Sequence, residues 1–579
     1  MRELRSEKKL GDVVPNIAQM LKKNSEAFAD HIAYQEAKDG SYHGIRWTDL
    51  YDNILNIAFN LRKYGFNKGD KMVLFSRNRL EMLQMELAIM ASGGVSVPIF
   101  AGFKRETATL LIDHSDARFL AVEGEVQLSN LDPDQELEQI FSFEDPEDNS
   151  FSNATAFKAL LKKRTDPYFQ LDLDADPKEI CLNMYTSGTM GIPKCVQLSH
   201  LNILSQQAAL SVLWDIDEND RFLSYLPWHH SFGGIFEKFC ALYHGAILSL
   251  ESGYGKNAEL IMKNWGLVKP TVFFSIPKVY KELLELSTKD KRSEDLFFNS
   301  GLKFIFTAAA SLPKKLSDEF ESRNIHVIEG WGLTETAPCC TLTDPTVKRK
   351  TGVVGKPIPG VTIRLADDGE ILINGPNVMK CYYKNDEANK DLFTKDGWFK
   401  TGDVGELTET GLKLVSRKDR IFKLLNGEKV VPTDFEKIIE HKCQYLSFAI
   451  VYGTGKEFPV ALLFPNRNLL NDPDPQKATE GTCKYPKNFN DLGNCLHGCL
   501  NDANCDIMQK FAKVKAALLI DDELSIEGGT LTPSMKVAPN KVIEAYRLDL
   551  ENLYDSGSSI DEDTFLIKLD QQETTNKVQ

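Results

Sequence analysis

The chain has 579 residues, 42% apolar and 26% charged, with a formal net charge of −15. That length exceeds one ordinary domain, and that balance belongs to a folded globular protein and excludes a disordered one. The acidic excess argues against a nucleic-acid partner, which calls for a positive surface, so an anionic ligand must find a local positive site.

The opening residues, MRELRSEKKLGDVV, carry charge with no apolar stretch behind them, and no run of apolar residues in the chain is long enough for a membrane span. Neither a secretory signal nor a spanning helix is expected, and the cytoplasm is the default location. Leu50, Ile54, Ile57, Ala58 and Leu61 recur at helical spacing, and KMVLF at 71–75 reads as a buried strand after the Gly69–Asp70 turn. A second helix over 80–92 and the strand GVSVP follow. This succession predicts an α/β fold, a parallel sheet with right-handed crossovers and helices on both faces.

Between 361 and 374, VTIRLA and EILING flank Asp367, Asp368 and Gly369 as alternating runs around a turn, which predicts a β-hairpin within an antiparallel β subdomain. The stretch 466–508 is polar, rich in breakers and weakly periodic, so a loop excursion is expected there. Residues 553–579 read as a polar tail, in which TFLIKL could form one short element. Seven cysteines are scattered in the manner of cytoplasmic thiols, while Cys483, Cys495, Cys499 and Cys505 cluster around His497. No interval in that cluster makes a CxxC pair, which argues against structural zinc and leaves its role open.

The segment YTSGTMGIPK at 185–194 gathers hydroxyls and glycines around one lysine, yet Lys194 sits between Pro193 and Cys195, so it is not a Walker A loop. Thr186, Ser187 and Thr189 offer hydroxyl donors, Gly188 and Gly191 admit close backbone approach, and Lys194 adds a cation; such a loop can cradle anionic oxygens. A polar surface turn is the plain alternative. The order continues with GWGLTETAP at 330–338, GWFKTGDVGEL at 397–407, SRKDRIFKLLNGEKVVPTDFE at 416–436 and LTPSMK at 531–536.

This ordered set resembles the adenylate-forming superfamily of AMP-binding acyl-CoA synthetases, from about Gly44 to about Tyr546, and IEGGTLTPSMKV at 526–537 looks most like long-chain fatty acid CoA ligases. The resemblance implies a large N-terminal AMP-binding and acyl-binding domain over 1–418 and a small mobile α+β domain over 419–552. It implies ATP, Mg²⁺ and coenzyme A as cofactor and co-substrates, and a fatty acid as the acyl donor. No nucleic acid and no obligate protein partner are implied; peripheral membrane contact, at the inner face of a membrane, stays open. Acylation of a carrier protein, or acyl and nucleotide binding without turnover, are the alternative readings.

Carried over residue by residue, Glu335 matches the acidic ligand of Mg²⁺, with Thr186 as co-ligand. Lys194 joins Thr186, Ser187, Gly188 and Thr189 on the phosphates. Trp331 supplies a π face to adenine against a wall at Ala309 and Ala310, beside Thr334. Asp403 and Arg417 grip the ribose. Asp419 is the hinge; Lys536 meets the carboxylate and α-phosphate, and the loop of Lys423, Asn426 and Gly427 serves CoA. In SYLPWHHSFGG, His230 borders the acyl pocket with Phe232 and Phe236. Three departures stand out: Met190 for a second threonine, Cys195 for a glycine, and VAPN after Lys536 without basic residues.

Overall fold

The computed structural model describes residues 3–145, 153–186, 193–298, 301–308, 312–350, 352–471, 486–526, 528–532, 537–554 and 564–569. They pack as two compact units, the larger reaching to about residue 414 and the smaller comprising 402–404 and the residues from Val415 onward.

In the larger unit the helix Trp47–Lys63 buries Leu50, Ile54, Ile57, Ala58 and Leu61 on one stripe, and Lys71–Phe75 forms the expected strand. Alternate residues of that strand enter different cores: Met72 and Leu74 join one cluster, Val73 and Phe75 another. A strand buried on both faces reads as a continuous apolar run, as KMVLF does. The largely apolar helix Leu80–Ala91 packs behind it.

The sheet containing this strand runs Lys194–Ser199, Ile180–Thr186, Val95–Ile99, Lys71–Phe75, Phe119–Val122, Gln139–Ser142, Ala154–Ala156. All neighbours pair in parallel except the first two, which are antiparallel. The chain goes from Lys71–Phe75 to the strand on one side and then to the strand on the other, so the order reverses there, and ligand-facing loops leave the carboxyl ends at such points. A second, 14-stranded sheet has a parallel centre from Ile32–Lys38 to His326–Gly332. The expected hairpin is present, Thr362–Leu365 against Glu370–Asn374, turning at Gly369 with φ of 86°. Its strands extend that same sheet instead of forming a sheet of their own.

The smaller unit has a four-stranded sheet of Leu446–Tyr452, Val460–Pro465, Ala516–Ile520 and Thr564–Lys568. Ala461 and Leu463 face one core, Val460, Leu462 and Phe464 the other. One expectation is corrected here. The 466–508 stretch holds an 18-residue helix, Phe489–Asp506, capped by the Asn488 side chain on the Asp491 amide. Leu492, Leu496, Cys499, Leu500 and Ala503 make its buried stripe, a spacing diluted in sequence by Gly and Asn. The tail, for its part, contains TFLIK as an edge strand antiparallel to Ala516–Ile520, with Ile567 in the core.

Among the described residues, no helix is long and apolar enough to cross a membrane.

Candidate functional site

Strands Ile180–Thr186 and Lys194–Ser199 pair with Thr186 opposite Lys194, which brings both ends of the Ser/Thr/Gly segment together. The Thr186 hydroxyl donates to the Lys194 carbonyl at 3.4 Å. Residues 380–383 add alongside this hairpin: the Tyr383 amide donates to the Cys195 carbonyl and the Gln197 amide to the Cys381 carbonyl. That pairing aims Tyr382 inward. Lys194 Nζ lies 4.9 Å from the centre of the Tyr382 ring, a cation–π contact, and the Tyr382 hydroxyl donates to Glu335 Oε1 at 2.6 Å. Lysine, phenol and carboxylate thus form one connected group. Tyr382 was missed by sequence reasoning, since nothing in CYYKN marks it as part of the GLTET site.

Glu335 sits in the short 3₁₀ turn Thr334–Thr336, which Thr336 closes by accepting from the Leu333 amide at 3.0 Å. Gly332 before it is required by packing, because a Cβ there would lie 1.7 Å from the Pro338 carbonyl oxygen. The Tyr382 bond is the one hydrogen bond the Glu335 carboxylate makes among the described residues. A half-buried carboxylate oriented by the Tyr382 hydroxyl is a hard-oxygen donor, which fits Mg²⁺. Trp331 is 8% exposed and belongs to the hydrophobic core.

The segment Leu226–Ser231 leads into a π-helix, Phe232–Glu237. Ser231 and Thr334 share a hydrogen bond between hydroxyls at 3.1 Å, tying this segment to the Glu335 turn. The His230 amide donates to the Pro227 carbonyl, and His230 Nδ1 accepts from the Phe232 amide at 3.3 Å. Phe232 and Phe236 are buried in an aromatic cluster, with centroids 5.6 and 4.8 Å from that of Phe306. His229, passed over in sequence, has its ring 5.1 Å from Phe100. Burial draws its pKa down to about 4, so it is neutral, and its Nε2 has no hydrogen-bond partner among the described residues.

In the smaller unit Arg417 Nη1 meets Asp403 Oδ1 at 3.0 Å, and Arg417 Nε reaches Asp419 Oδ1 at 3.7 Å. Asp403 is buried while Arg417 is exposed. Asp419 also accepts from Asn540 Nδ2 at 3.1 Å. The ribbon Phe422–Lys423 and Lys429–Val430 closes through Gly427, whose φ is 84°, with the Gly427 amide donating to Leu424 and Asn426 accepting from the Glu428 amide. Lys423 and Asn426 are exposed. Ser187, Gly188, Thr189, Met190, Ala309, Ala310, Cys483 and Lys536 lie outside the described residues.

Family comparison gives two matches: a model described as AMP-binding enzyme covers residues 21–383, and one described as AMP-binding enzyme C-terminal domain covers 419–558. Among similar proteins, the long-chain-fatty-acid–CoA ligase FadD15 of Mycobacterium bovis is 25% identical, aligning 93% of this chain with 97% of that protein. Long chain acyl-CoA synthetase 4 of Arabidopsis thaliana is 26% identical over 90% of this chain and 88% of its own. Among solved structures, the o-succinylbenzoate CoA synthetase MenE of Bacillus subtilis in complex with ATP and magnesium ion superposes with a TM-score of 0.70. It is 21% identical over 91% of this chain and 98% of that one, a likeness of fold.

Proposed function

The chain belongs to the AMP-binding enzyme family, and we propose that it is an ATP-dependent, AMP-forming acyl-CoA synthetase acting on long-chain fatty acids. In the first half-reaction the substrate's own carboxylate is the nucleophile. Its oxygen bonds to the α-phosphorus of ATP, the bond from that phosphorus to the bridging oxygen breaks, and pyrophosphate leaves with the electron pair. In the second, the CoA sulfur attacks the acyl carbonyl carbon, its proton passes to solvent, and the bond to the adenylate oxygen breaks to release AMP.

The work left to the protein is to hold mutually repelling anions in line and offset their charge. Lys194 with Ser187, Gly188 and Thr189 takes the phosphates, and Lys536 takes the carboxylate and α-phosphate. Glu335 and Thr186 would hold Mg²⁺, which supplies charge neutralisation on the phosphates when bound. Asp403 accepts from the ribose hydroxyls, steadied by Arg417, and Trp331, Thr334, Ala309 and Ala310 border the base. His230, Phe232 and Phe236 shape the acyl side. Asp419 is the hinge between domains of 1–418 and 419–552, and Lys423, Asn426 and Gly427 serve the CoA half-reaction.

The observation that supports this reading best is the connected Lys194, Tyr382 and Glu335 group, a cation and a carboxylate held at fixed separation beside the phosphate segment. Relatives aligned along most of their length are named CoA ligases, which disfavours a carrier-protein acceptor. The proposed location is the cytoplasm, with any membrane contact peripheral. The test is formation of AMP and acyl-CoA from ATP, Mg²⁺ and acids of about two to eighteen carbons, with and without CoA. The two products rising together, most with long acids, are expected; adenylate formation indifferent to CoA would overturn the acceptor, and no turnover would overturn the reaction.

A further inference from the structure

We propose that Asn78 is a positioning residue for acyl activation, acting through the turn Leu226–His230; this rests on the reading of that turn as the acyl side of the site. Asn78 lies just past the carboxyl end of Lys71–Phe75, where the strand order reverses, and is 4% exposed. Its Nδ2 donates to the Leu226 carbonyl at 2.8 Å, and its Oδ1 accepts from the Trp228 amide at 2.9 Å. The two bonds fix the amide's orientation, because a flip would set donor against donor and acceptor against acceptor.

The same turn is pressed from its other side. A Cβ at Gly233 would lie 2.6 Å from the Leu226 carbonyl oxygen, and one at Gly234 would lie 2.0 Å from that of Trp228. Both carbonyls are therefore in close contact with the π-helix backbone, while Asn78 secures the Leu226 carbonyl and the Trp228 amide. The turn is closed by the His230 amide on Pro227, and Ser231 joins it to Thr334 beside Glu335. His229 and His230 thus project from a segment whose backbone is held at Leu226, Pro227 and Trp228 by named contacts. Buried backbone groups stripped of their partners cost more than the bond itself, so loss of the Asn78 amide shifts the turn or leaves two groups unsatisfied. A displacement of this segment falls first on the acid and reaches the nucleotide's candidate contacts, which lie on other elements, only indirectly through the Ser231–Thr334 hydrogen bond.

Asn78→Asp and Asn78→Leu separate this role from general stability. At pH 8 the carboxylate of Asn78→Asp can still accept from Trp228 but cannot donate to Leu226. Burial and the facing Leu226 carbonyl oxygen raise its pKa above the ordinary value of about 3.9, so that lowering the pH to 5.5 protonates it and restores the donor. Asn78→Leu has neither group at any pH. The expected result at pH 8 is a KM for the fatty acid raised about tenfold in both variants, with the KM for ATP within about twofold of wild type. At pH 5.5 Asn78→Asp recovers relative to wild type and Asn78→Leu does not. Folded variants with unchanged acid KM, with acid and ATP affected alike, or without the acid-dependent recovery of Asn78→Asp, overturn the proposal. Wild-type acyl-CoA synthesis tests the underlying reading separately. Should the wild type turn over no acid, amide hydrogen exchange at Trp228 still reads the clamp: about tenfold faster exchange in Asn78→Leu, which lacks the acceptor, is expected, and equal exchange overturns it.

Discussion

Lys194 and Lys423 show two ways of presenting a cation. Lys194, half-buried in the larger unit, lies over the Tyr382 ring, and that same ring holds Glu335 through its hydroxyl. Lys423, in the smaller unit, is exposed, while its backbone is fixed by the Gly455 amide on its carbonyl and by the tight turn at Gly427. In the first case the side chain is oriented before any ligand arrives; in the second only the backbone is. Preorganised charge costs no reorganisation during reaction, which suits phosphate held throughout catalysis. A free ammonium on a flexible stem suits a group that must meet its ligand in one half-reaction only.

The strongest way to break that contrast is Lys536→Ala. If Lys536 serves adenylation alone, acid-dependent pyrophosphate exchange falls by about 10²–10³, the size of loss seen when one transition-state electrostatic partner is removed. Transfer of supplied acyl adenylate to CoA should then stay within about threefold of wild type. Equal loss in both half-reactions would mean that the lysine has no half-reaction of its own.

Tyr382→Phe tests preorganisation directly. It keeps the ring under Lys194 and removes only the hydroxyl bonded to Glu335. Groups that orient a metal ligand are typically worth 10–100-fold in affinity, so the Mg²⁺ concentration for half-maximal adenylation should rise by about tenfold or more. An unchanged Mg²⁺ titration would show that Glu335 needs no such support. On the smaller unit, Gly427→Ala forces a left-handed φ on an alanine and should raise the KM for CoA about tenfold, leaving pyrophosphate exchange at the wild-type rate. A matching loss in exchange would tie the turn to both steps.

Much of the framework behind these contrasts is legible before any coordinate is known. KMVLF and the 361–374 hairpin declare themselves because burial pattern and turn chemistry agree locally. The Phe489–Asp506 helix does not, since Gly493, Asn494, Gly498 and Asn501 are weak helix formers and the helix depends on the core its Leu and Cys stripe finds. Thr564–Lys568 becomes a strand only through its partner Ala516–Ile520, a pairing remote in sequence. Motif order pointed to Glu335 and Lys194, whereas Tyr382 and Asn78 matter through contacts 47 and about 150 positions away. Side chains that support a site from distant segments leave no mark in the site's own motif.

The mildest expected effect distinguishes the two units by pH. Burial holds His200 and His229 in the larger unit at pKa values of about 4, below their unfolded value of about 6.5. Between those limits the unfolded chain binds more protons, so this stability is fully present above pH 6.5 and is lost as pH falls toward 4. Burial raises Glu440 in the smaller unit to about 7, although its Oε1 accepts from the Ala449 amide at 3.0 Å. There the folded state binds more protons, so stability falls as pH rises from about 4.5 to 7. Acidification from pH 7 to 6 should therefore strengthen the smaller unit by roughly 1 kcal/mol and weaken the larger by about as much, roughly 0.7 kcal/mol from each histidine. All six tryptophans, Trp47, Trp214, Trp228, Trp265, Trp331 and Trp398, lie at or before residue 398, so tryptophan fluorescence follows the larger unit alone. Denaturation followed by fluorescence should move to lower denaturant on acidification, while protection of the strand Leu446–Tyr452 against hydrogen exchange, taken relative to the intrinsic rate at each pH, rises. Glu440→Gln should remove that rise in protection and leave the fluorescence transition where it was; a rise that survives the substitution would assign the proton to another group.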